Sequence, residues 1–306
     1  MQSNKNLHLP TRLVTVEDID HYPPKGNTNT NTTNTNTTNK NTTNTNTKNK
    51  QTKTLPVTNK IYVMCYNVRS LSSYERLIEL SEALKNVKFD IIGLSETRRL
   101  GTKIEEYDDY ILCHTGLHPG KYGVGFLLRK NQKENIESYT GITDRVAILN
   151  LNIHGNKISF IQVYAPTEAA TDEEMDTFYT NVNKAIDLAH KVYIIMGDFN
   201  AKIGQPKQNE HLVMKLNGYG NRNLRGQRLI DFALENKTPI LNTFFKKKPN
   251  KKWTWRSPNG EHKNELDFVL SNRPSMVQNI EVLNVNFSSD HRPVRATLGL
   301  DKIKKK

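Results

Sequence analysis

Residues 192–204, VYIIMGDFNAKIG, run from a mostly apolar segment straight into the polar pair Asp198 and Asn200. Residues i and i+2 of a strand point to the same face, so these two side chains would project together from one strand tip. A polar turn after a core strand would look similar, because Gly, Asp and Asn are ordinary turn formers. The two interpretations separate only if other strands of the chain end in the same way.

Several other segments have the β-branched and aromatic content of strands, and they cover residues 61–67, 89–96, 122–128, 146–153, 158–165, 264–270, 280–287 and 294–300. Apolar residues at helical spacing predict helices over residues 74–87, 171–189 and 225–235. The second of these opens with Thr171 and Glu174 in a capping-box pattern. Predominant strands with interspersed helices and no repeat indicate a mixed α/β domain with packed sheets.

Polar side chains recur at or just beyond the carboxyl ends of these strands. They are Asn67, Glu96, Tyr164, Asp198 with Asn200, and Asp290 with His291. If these ends converge at one sheet edge, they supply what phosphoryl transfer needs. Glu96 can hold Mg²⁺, which prefers oxygen ligands, and Asp198 can orient or deprotonate the attacking water. The amides and the histidine can donate hydrogen bonds to the phosphate as negative charge builds on it.

Other kinds of site are poorly supported by the sequence. The two cysteines, Cys65 and Cys113, are far apart, which argues against a disulfide framework and suits a reducing compartment. The nine histidines show no paired spacing that would predict a zinc site. No G-x-S-x-G elbow of a serine hydrolase is present, and no apolar run is long enough for a membrane span.

The formal net charge is +13, and residues 246–263, KKKPNKKWTWRSPNGEHK, hold seven basic residues against one acidic residue. Basic residues interleaved with aromatic ones suit a polyanionic partner such as nucleic acid. We therefore predict DNA contacts from Trp253, Trp255, Lys247, Lys251 and Arg256. Charge alone fits a solubilising surface equally well, and the two tryptophans can instead pack on one face of a hairpin strand.

Composition divides the chain into three parts. Residues 1–59 are predicted to be a disordered N-terminal tail, because the segment from Gly26 to about Lys53 is almost entirely Asn and Thr with Lys interspersed. Residues 60–300 are expected to form one domain, and residues 301–306 a basic tail. The N-terminus lacks the apolar run of a signal peptide, so we expect an intracellular protein.

Six motifs in order, YNVRS, GLSET, VYAPT, GDFNA, LDFVL and SDHRP, resemble the endonuclease/exonuclease/phosphatase superfamily over nearly all of residues 60–300. The segments GNRNLRGQRLIDF, NTFF and WTWRSPNG are similar to RTE-type non-LTR retrotransposon endonucleases and craniofacial development protein 2-like proteins. The resemblance implies a DNase I-like fold, a four-layer α/β sandwich of two packed mixed sheets flanked by helices. It also implies phosphodiester hydrolysis that depends on Mg²⁺, for which Mn²⁺ can substitute, with DNA nicking as the expected reaction.

The resemblance also assigns roles to the residues at the strand ends. Glu96 would be the principal metal ligand, with Asn67 and Asp290 near the metal. The other roles fall to Asp198, which activates or aligns the water, Asn200 and Tyr164 beside the phosphate, and His291 on the scissile phosphate, oriented by Asp267. Some relatives have an Asp two residues after the first motif's Asn, where this chain has Arg69, so that metal contact is absent here.

Two further functions remain open at this stage. One is a phosphatase or lipid phosphodiesterase on the same fold, and the other is an exapted protein that binds nucleic acid without catalysis. The basic segment argues against a lipid substrate, and the presence of Glu96, Asp198, Asn200 and His291 argues against loss of catalysis. We expect a monomeric, nuclear domain that binds DNA, without a membrane partner or a small-molecule cofactor.

Overall fold

The computed structural model describes residues 12–14, 19–21 and 60–300. Sixteen strands lie in these residues: β1 (Arg12–Val14), β2 (Ile19–His21), β3 (Lys60–Asn67), β4 (Ile91–Ser95), β5 (Gly101–Glu106), β6 (Tyr110–Gly116), β7 (Val124–Arg129), β8 (Ile136–Thr143), β9 (Val146–Ile153), β10 (Asn156–Tyr164), β11 (Val192–Asp198), β12 (Trp255–Arg256), β13 (Lys263–Asn264), β14 (Asp267–Ser271), β15 (Val277–Val282) and β16 (Val294–Gly299).

Three α-helices accompany the strands: α1 (Tyr74–Ala83), α2 (Asp172–Asp187) and α3 (Leu224–Glu235). Short 3₁₀ segments cover Lys130–Asn135, Glu210–Leu212, Leu241–Phe244, Pro249–Lys251 and Pro274–Met276. The capping box predicted for the second helix is present, because the Thr171 hydroxyl accepts from the Glu174 backbone N–H and the Glu174 carboxylate accepts from that of Thr171. Among the described residues, no helix has both the length and the apolar character that crossing a membrane requires.

The strands form two mixed sheets and a small hairpin. The six-stranded sheet has the order β1-β8-β9-β10-β11-β14, and the eight-stranded sheet has the order β15-β16-β3-β4-β7-β6-β5-β2. β12 and β13 pair with each other and form the hairpin. In the six-stranded sheet, β10 and β11 are parallel; in the eight-stranded sheet, β3 and β4 are parallel. Parallel neighbours end at the same edge of a sheet, which gathers their carboxyl ends.

Three apolar clusters explain how the layers pack. The largest lies between the two sheets and includes Val63 and Phe126 from one sheet and Phe160 from the other. A second cluster seals α2 and α3 onto the outer face of the six-stranded sheet, and a third seals α1 onto the outer face of the eight-stranded sheet. The order of layers is therefore helices, sheet, sheet, helix, as predicted from the sequence.

The first 59 residues contain two described strands. β1 pairs antiparallel with β8 at the edge of the six-stranded sheet, and β2 pairs parallel with β5 at the edge of the eight-stranded sheet. Both short strands pair with sheet edges, where backbone groups would otherwise be unpaired. The Asn/Thr-rich segment and residues 301–306 lie outside the described residues, so the predicted domain boundaries stay predictions.

Gly197 lies near the end of β11, where the backbone leaves no room for a side chain. Its φ is 144°, and a Cβ atom there would lie 2.0 Å from the backbone oxygen of Val163 in the neighbouring strand. Neither strand can move aside without breaking the ladder. We therefore expect Gly197→Ala to lower the free energy of unfolding by about 2–4 kcal/mol, measured by urea denaturation.

The control for Gly197→Ala is Gly120→Ala. Gly120 has a φ of 70° but no atom within 4 Å of the added Cβ, so only backbone strain is introduced there. That strain costs about 1 kcal/mol. Equal losses in the two variants would contradict the steric explanation for Gly197.

Candidate active site

Strand register brings three of the predicted residues side by side. Tyr164 and Asp198 are partners in the parallel pair β10 and β11. Asp198 is also opposite Asp267 in the antiparallel pair β11 and β14. Asp267 therefore starts its strand where β11 ends, and the three side chains emerge at one edge of the six-stranded sheet.

Asn67 joins this edge to the eight-stranded sheet. Its Nδ2 donates to Glu96 Oε1 at 2.9 Å and to Asp198 Oδ2 at 3.0 Å. Its Oδ1 accepts from the backbone N–H of Arg69 at 3.0 Å. Asn67 thus turns its nitrogen toward both carboxylates, so it orients Glu96 and Asp198 rather than presenting a ligand oxygen between them.

Glu96 lies immediately after β4 in a left-handed backbone conformation, with a φ of 57°. This conformation is uncommon for a residue other than glycine, and it is a frequent feature of functional sites. The second carboxylate oxygen of Glu96, Oε2, accepts a hydrogen bond from Arg98 Nη2 at 2.8 Å. The side chain of Glu96 is 18% exposed, so solvent still reaches it through the cleft.

Asp198 is almost completely buried, with 1% exposure. Burial raises its pKa, the positive charge of His291 opposes this, and the negative charge of Asp267 adds to it. The backbone N–H of Asn200 donates to Asp198 Oδ1 at 2.9 Å. A carboxylate held in a fixed orientation with a raised pKa is suited to accept a proton near neutral pH.

His291 lies between two carboxylates. Its Nδ1 is 2.9 Å from Asp267 Oδ2, and its Nε2 is 3.6 Å from Asp198 Oδ2. Burial lowers the pKa of His291, but the charges of Asp267 and Asp198 outweigh burial and raise the pKa to about 9. The imidazole is therefore held in place by Asp267 and is protonated at neutral pH.

Two further predicted residues lie on the cleft wall. Asn200 has a left-handed φ of 47°, and its Nδ2 donates one hydrogen bond to the Ala165 carbonyl at 2.9 Å. The amide has a second N–H, which can serve a ligand. Burial, followed by the charges of Glu96 and Asp198, raises the pKa of the Tyr164 phenol, so the phenol remains a hydrogen-bond donor.

A cleft of about 1040 Å³ opens onto this edge. Of the predicted residues it is lined by Glu96, Tyr164, Asp198, Asn200, Trp255, Asp290 and His291, while Asn67 and Asp267 lie behind the wall and hold these side chains. The tip of the β12–β13 hairpin, including His262, also lines the cleft, as do Lys202 and Tyr219.

The donor set fits a hard divalent cation. Glu96 and Asp290 offer carboxylate oxygens to the cleft, and such oxygens are the ligands that Mg²⁺ and Mn²⁺ accept. The carboxylates of Glu96, Asp198, Asp267 and Asp290 gather at this edge, where Arg98 pairs with Glu96 and His291 lies between Asp198 and Asp267, and a phosphate would add more negative charge. Asp198, Asp267 and His291 also place ligand atoms within 4.8 Å of one another, but a metal there would have to replace the bond between His291 and Asp267.

The predicted DNA-binding residues fall into different places. Trp255 lines the cleft, whereas Trp253, Lys251 and Arg256 lie outside its wall. Lys247 is turned to the edge of the eight-stranded sheet, where its Nζ donates to Asn279 Oδ1 at 2.7 Å. The basic segment is therefore a surface beside the cleft, and Trp255 is its one predicted member inside.

Sequence reasoning missed two residues that hold the site together. Ser289 Oγ donates to the backbone oxygen of Asn67 at 2.7 Å and accepts from the backbone N–H of His291 at 3.1 Å. Arg98 pairs with Glu96. Ser289 lies in the SDHRP motif and could have been found there, while Arg98 shows no signal because its partner is set by the chain reversal after β4.

The chain is similar in sequence to known proteins. The sequence model described as "Endonuclease/Exonuclease/phosphatase family" matches residues 64–291. Craniofacial development protein 2 of Bos taurus is 28% identical over 233 residues, which cover 74% of this chain and 39% of that protein. The chain therefore spans about two fifths of the length of this relative.

Two solved structures share the architecture. The AP endonuclease LMAP from Leishmania major superposes with a TM-score of 0.60 and 12% identity, covering 79% of this chain and 88% of that chain. The endonuclease domain of TRAS1, a telomere-specific non-LTR retrotransposon, gives a TM-score of 0.55 and 13% identity, covering 79% of this chain and all of that domain. At these identities the likeness establishes the fold, and the predicted DNase I-like sandwich is confirmed.

Proposed function

Because the chain belongs to the endonuclease/exonuclease/phosphatase family, we propose that it hydrolyses phosphodiester bonds and nicks DNA with the help of a divalent cation. The observation that carries this proposal is the pairing of His291 with Asp267 at 2.9 Å, beside Asp198, which Asn67 links to Glu96. An acid, a base and an oxygen-ligand set thus surround one cleft.

In the proposed mechanism, Asp198 accepts a proton from the attacking water and other side chains donate hydrogen bonds to the phosphate. A water molecule attacks the phosphorus, and Asp198, whose pKa burial raises, accepts a proton from it. Protonated His291 and the free N–H of Asn200 donate hydrogen bonds to phosphate oxygens while negative charge builds on them. Tyr164, which also lines the cleft, donates a further hydrogen bond to the phosphate. The bond to the leaving sugar oxygen then breaks, and that oxygen takes a proton from solvent.

Glu96 and Asp290 are the proposed ligands for the divalent cation, with Asn67 orienting Glu96. When bound, Mg²⁺ or Mn²⁺ would act as a Lewis acid that neutralises charge on the phosphate oxygens. Arg98 already compensates Glu96 by an ion pair of 2.8 Å.

DNA is the proposed substrate because the surroundings of the cleft are cationic. The net charge is +13, and the Lys-rich segment leads into the hairpin whose tip lines the cleft. A cationic surface attracts the phosphate backbone without regard to sequence. The fold shared with the TRAS1 endonuclease domain also supports a retrotransposon origin. With that origin we propose that the protein acts on DNA in the nucleus.

The experiment that tests this function is a plasmid-nicking assay on the full chain. Supercoiled plasmid with Mg²⁺ should be converted to nicked circles, and excess EDTA should reduce the rate at least about 10³-fold, because the phosphate charge would then be uncompensated. Adding Mg²⁺ or Mn²⁺ back should restore the rate.

Controls decide what a failure would mean. Circular dichroism with and without EDTA checks that chelation leaves the fold intact. Equal nicking in EDTA would contradict the metal, and absence of nicking by folded protein would contradict the DNA substrate. Hydrolysis of phosphoinositides or sphingomyelin in a parallel assay would then favour the lipid phosphodiesterase.

A further inference from the structure

Trp255 makes a contact that its proposed role in DNA binding does not require. Its indole Nε1 donates to Asp290 Oδ2 at 3.0 Å. The backbone N–H of the next residue, Arg256, donates to the backbone oxygen of Asp290 at 3.1 Å. Asp290 is thus held at both its side chain and its main chain by β12.

Asp290 needs such restraint because it lies in an irregular segment. Residues 283–290 follow β15 without strand pairing of their own, and a carboxylate on such a segment can adopt several rotamers. Trp255 also forms an isolated antiparallel bridge with His291. One hairpin residue therefore fixes the positions of a proposed metal ligand and of the neighbouring histidine.

The other tryptophan is used differently. The guanidinium of Arg292 lies 3.8 Å from the centre of the Trp253 ring, and the Lys263 ammonium lies 5.2 Å from it. Trp253 lies outside the cleft wall. The two tryptophans, only two residues apart, hence provide a matched pair for experiment.

We propose that Trp255 is a positioning residue for the metal site, acting through the carboxylate of Asp290, and that it couples the hairpin to that site. The inference rests on the proposed function, since it takes Asp290 as a metal ligand. A hydrogen bond to one carboxylate oxygen turns the other toward the ion, and loss of such outer bonds typically weakens metal affinity about 10–100-fold.

Trp255→Phe separates this role from base stacking. Phenylalanine keeps an aromatic ring for packing or stacking but removes the N–H donor together with the five-membered ring that carries it, and Trp253→Phe makes the same change in size. We expect the full-length Trp255→Phe variant to bind MgCl₂ about 10–100-fold more weakly than wild type by isothermal titration calorimetry without DNA. Trp253→Phe should leave the Mg²⁺ affinity unchanged, because the Trp253 ring has no contact with Asp290.

A second measurement follows the wild-type protein during the titration, and a variant serves only to assign its resonances. The chain has two tryptophans and therefore two indole N–H resonances, which Trp253→Phe assigns. On titration with MgCl₂, the Trp255 resonance should shift and saturate with the affinity found by calorimetry. The Trp253 resonance should move far less.

The outcomes are distinguishable from failure of the proposed function. If wild type binds no Mg²⁺, the metal site fails, and this inference fails with it. If wild type binds Mg²⁺ while folded Trp255→Phe binds it equally well, or the Trp255 resonance stays fixed, only the role of Trp255 is overturned. A melting curve of each variant establishes that it is folded.

Discussion

His291→Ala should reduce DNA nicking at least about 10³-fold while leaving the fold intact. The substitution removes the hydrogen-bond donor that we propose for the phosphate. It also leaves the carboxylates of Asp198 and Asp267 facing each other with no positive charge between them. Both the loss of the donor and the repulsion between the two carboxylates lower the nicking rate. The initial rate of plasmid nicking in Mg²⁺ measures the effect.

The matched control for this prediction is His154→Ala. His154 is exposed in the turn between β9 and β10, outside the lining of the cleft. Its removal should leave the nicking rate within about twofold of wild type, as expected for a surface change. If His291→Ala retained wild-type activity, the proposed donor would be wrong, and another group on the cleft wall would have to donate the hydrogen bond to the phosphate.

The convergence of the candidate site residues could be predicted largely from strand ends. Alternating and apolar runs located β3, β10 and β11, and each ends at the predicted residue: Asn67, Tyr164 or Asp198. Parallel neighbours end together, so a polar residue at each tip implies convergence. What the sequence could not give was the direction of each polar atom, such as the nitrogen that Asn67 turns toward Glu96.

β5 is one of the strands that the sequence did not reveal. β5 is GTKIEE, and its Glu105 argues against a buried strand because isolated charges are expensive to bury. In the structure Glu105 accepts from Arg99 at 2.7 Å and from the Tyr107 hydroxyl at 2.7 Å, and His114 lies 3.3 Å away. The compensating partners come from neighbouring segments, and composition within one window does not contain them.

The Lys-rich segment is a second case in which composition did not predict where side chains lie. Composition grouped Lys247 with Trp253 and Trp255 as one DNA-binding surface, but the turns between them send the three side chains to different neighbours. Lys247 reaches Asn279, Trp253 stacks with Arg292, and Trp255 binds Asp290. Charge patterning predicts that a surface is cationic, while the direction of each side chain depends on tertiary contacts.

Asp198→Asn is the substitution that should separate catalysis from stability most clearly. Asparagine keeps the shape of the side chain and an acceptor for the Asn200 backbone N–H, but it cannot take a proton from water. We expect nicking to fall about 10³-fold or more in the plasmid assay. Asp108→Asn, in the exposed turn between β5 and β6, is the matched control and should nick at the wild-type rate.

The same Asp198→Asn variant should be no less stable than wild type in EDTA at pH 8, and we expect a gain of about 1 kcal/mol in urea denaturation. The raised pKa of Asp198 means that folding disfavours its charged form, because burial and the Asp267 carboxylate oppose the ionised group. Removing the charge relieves that cost at a pH where wild-type Asp198 is ionised. A structural role for Asp198 predicts the opposite sign, a loss of stability with the loss of activity. Lost nicking in a protein that is at least as stable would identify Asp198 as a group that the fold retains for chemistry.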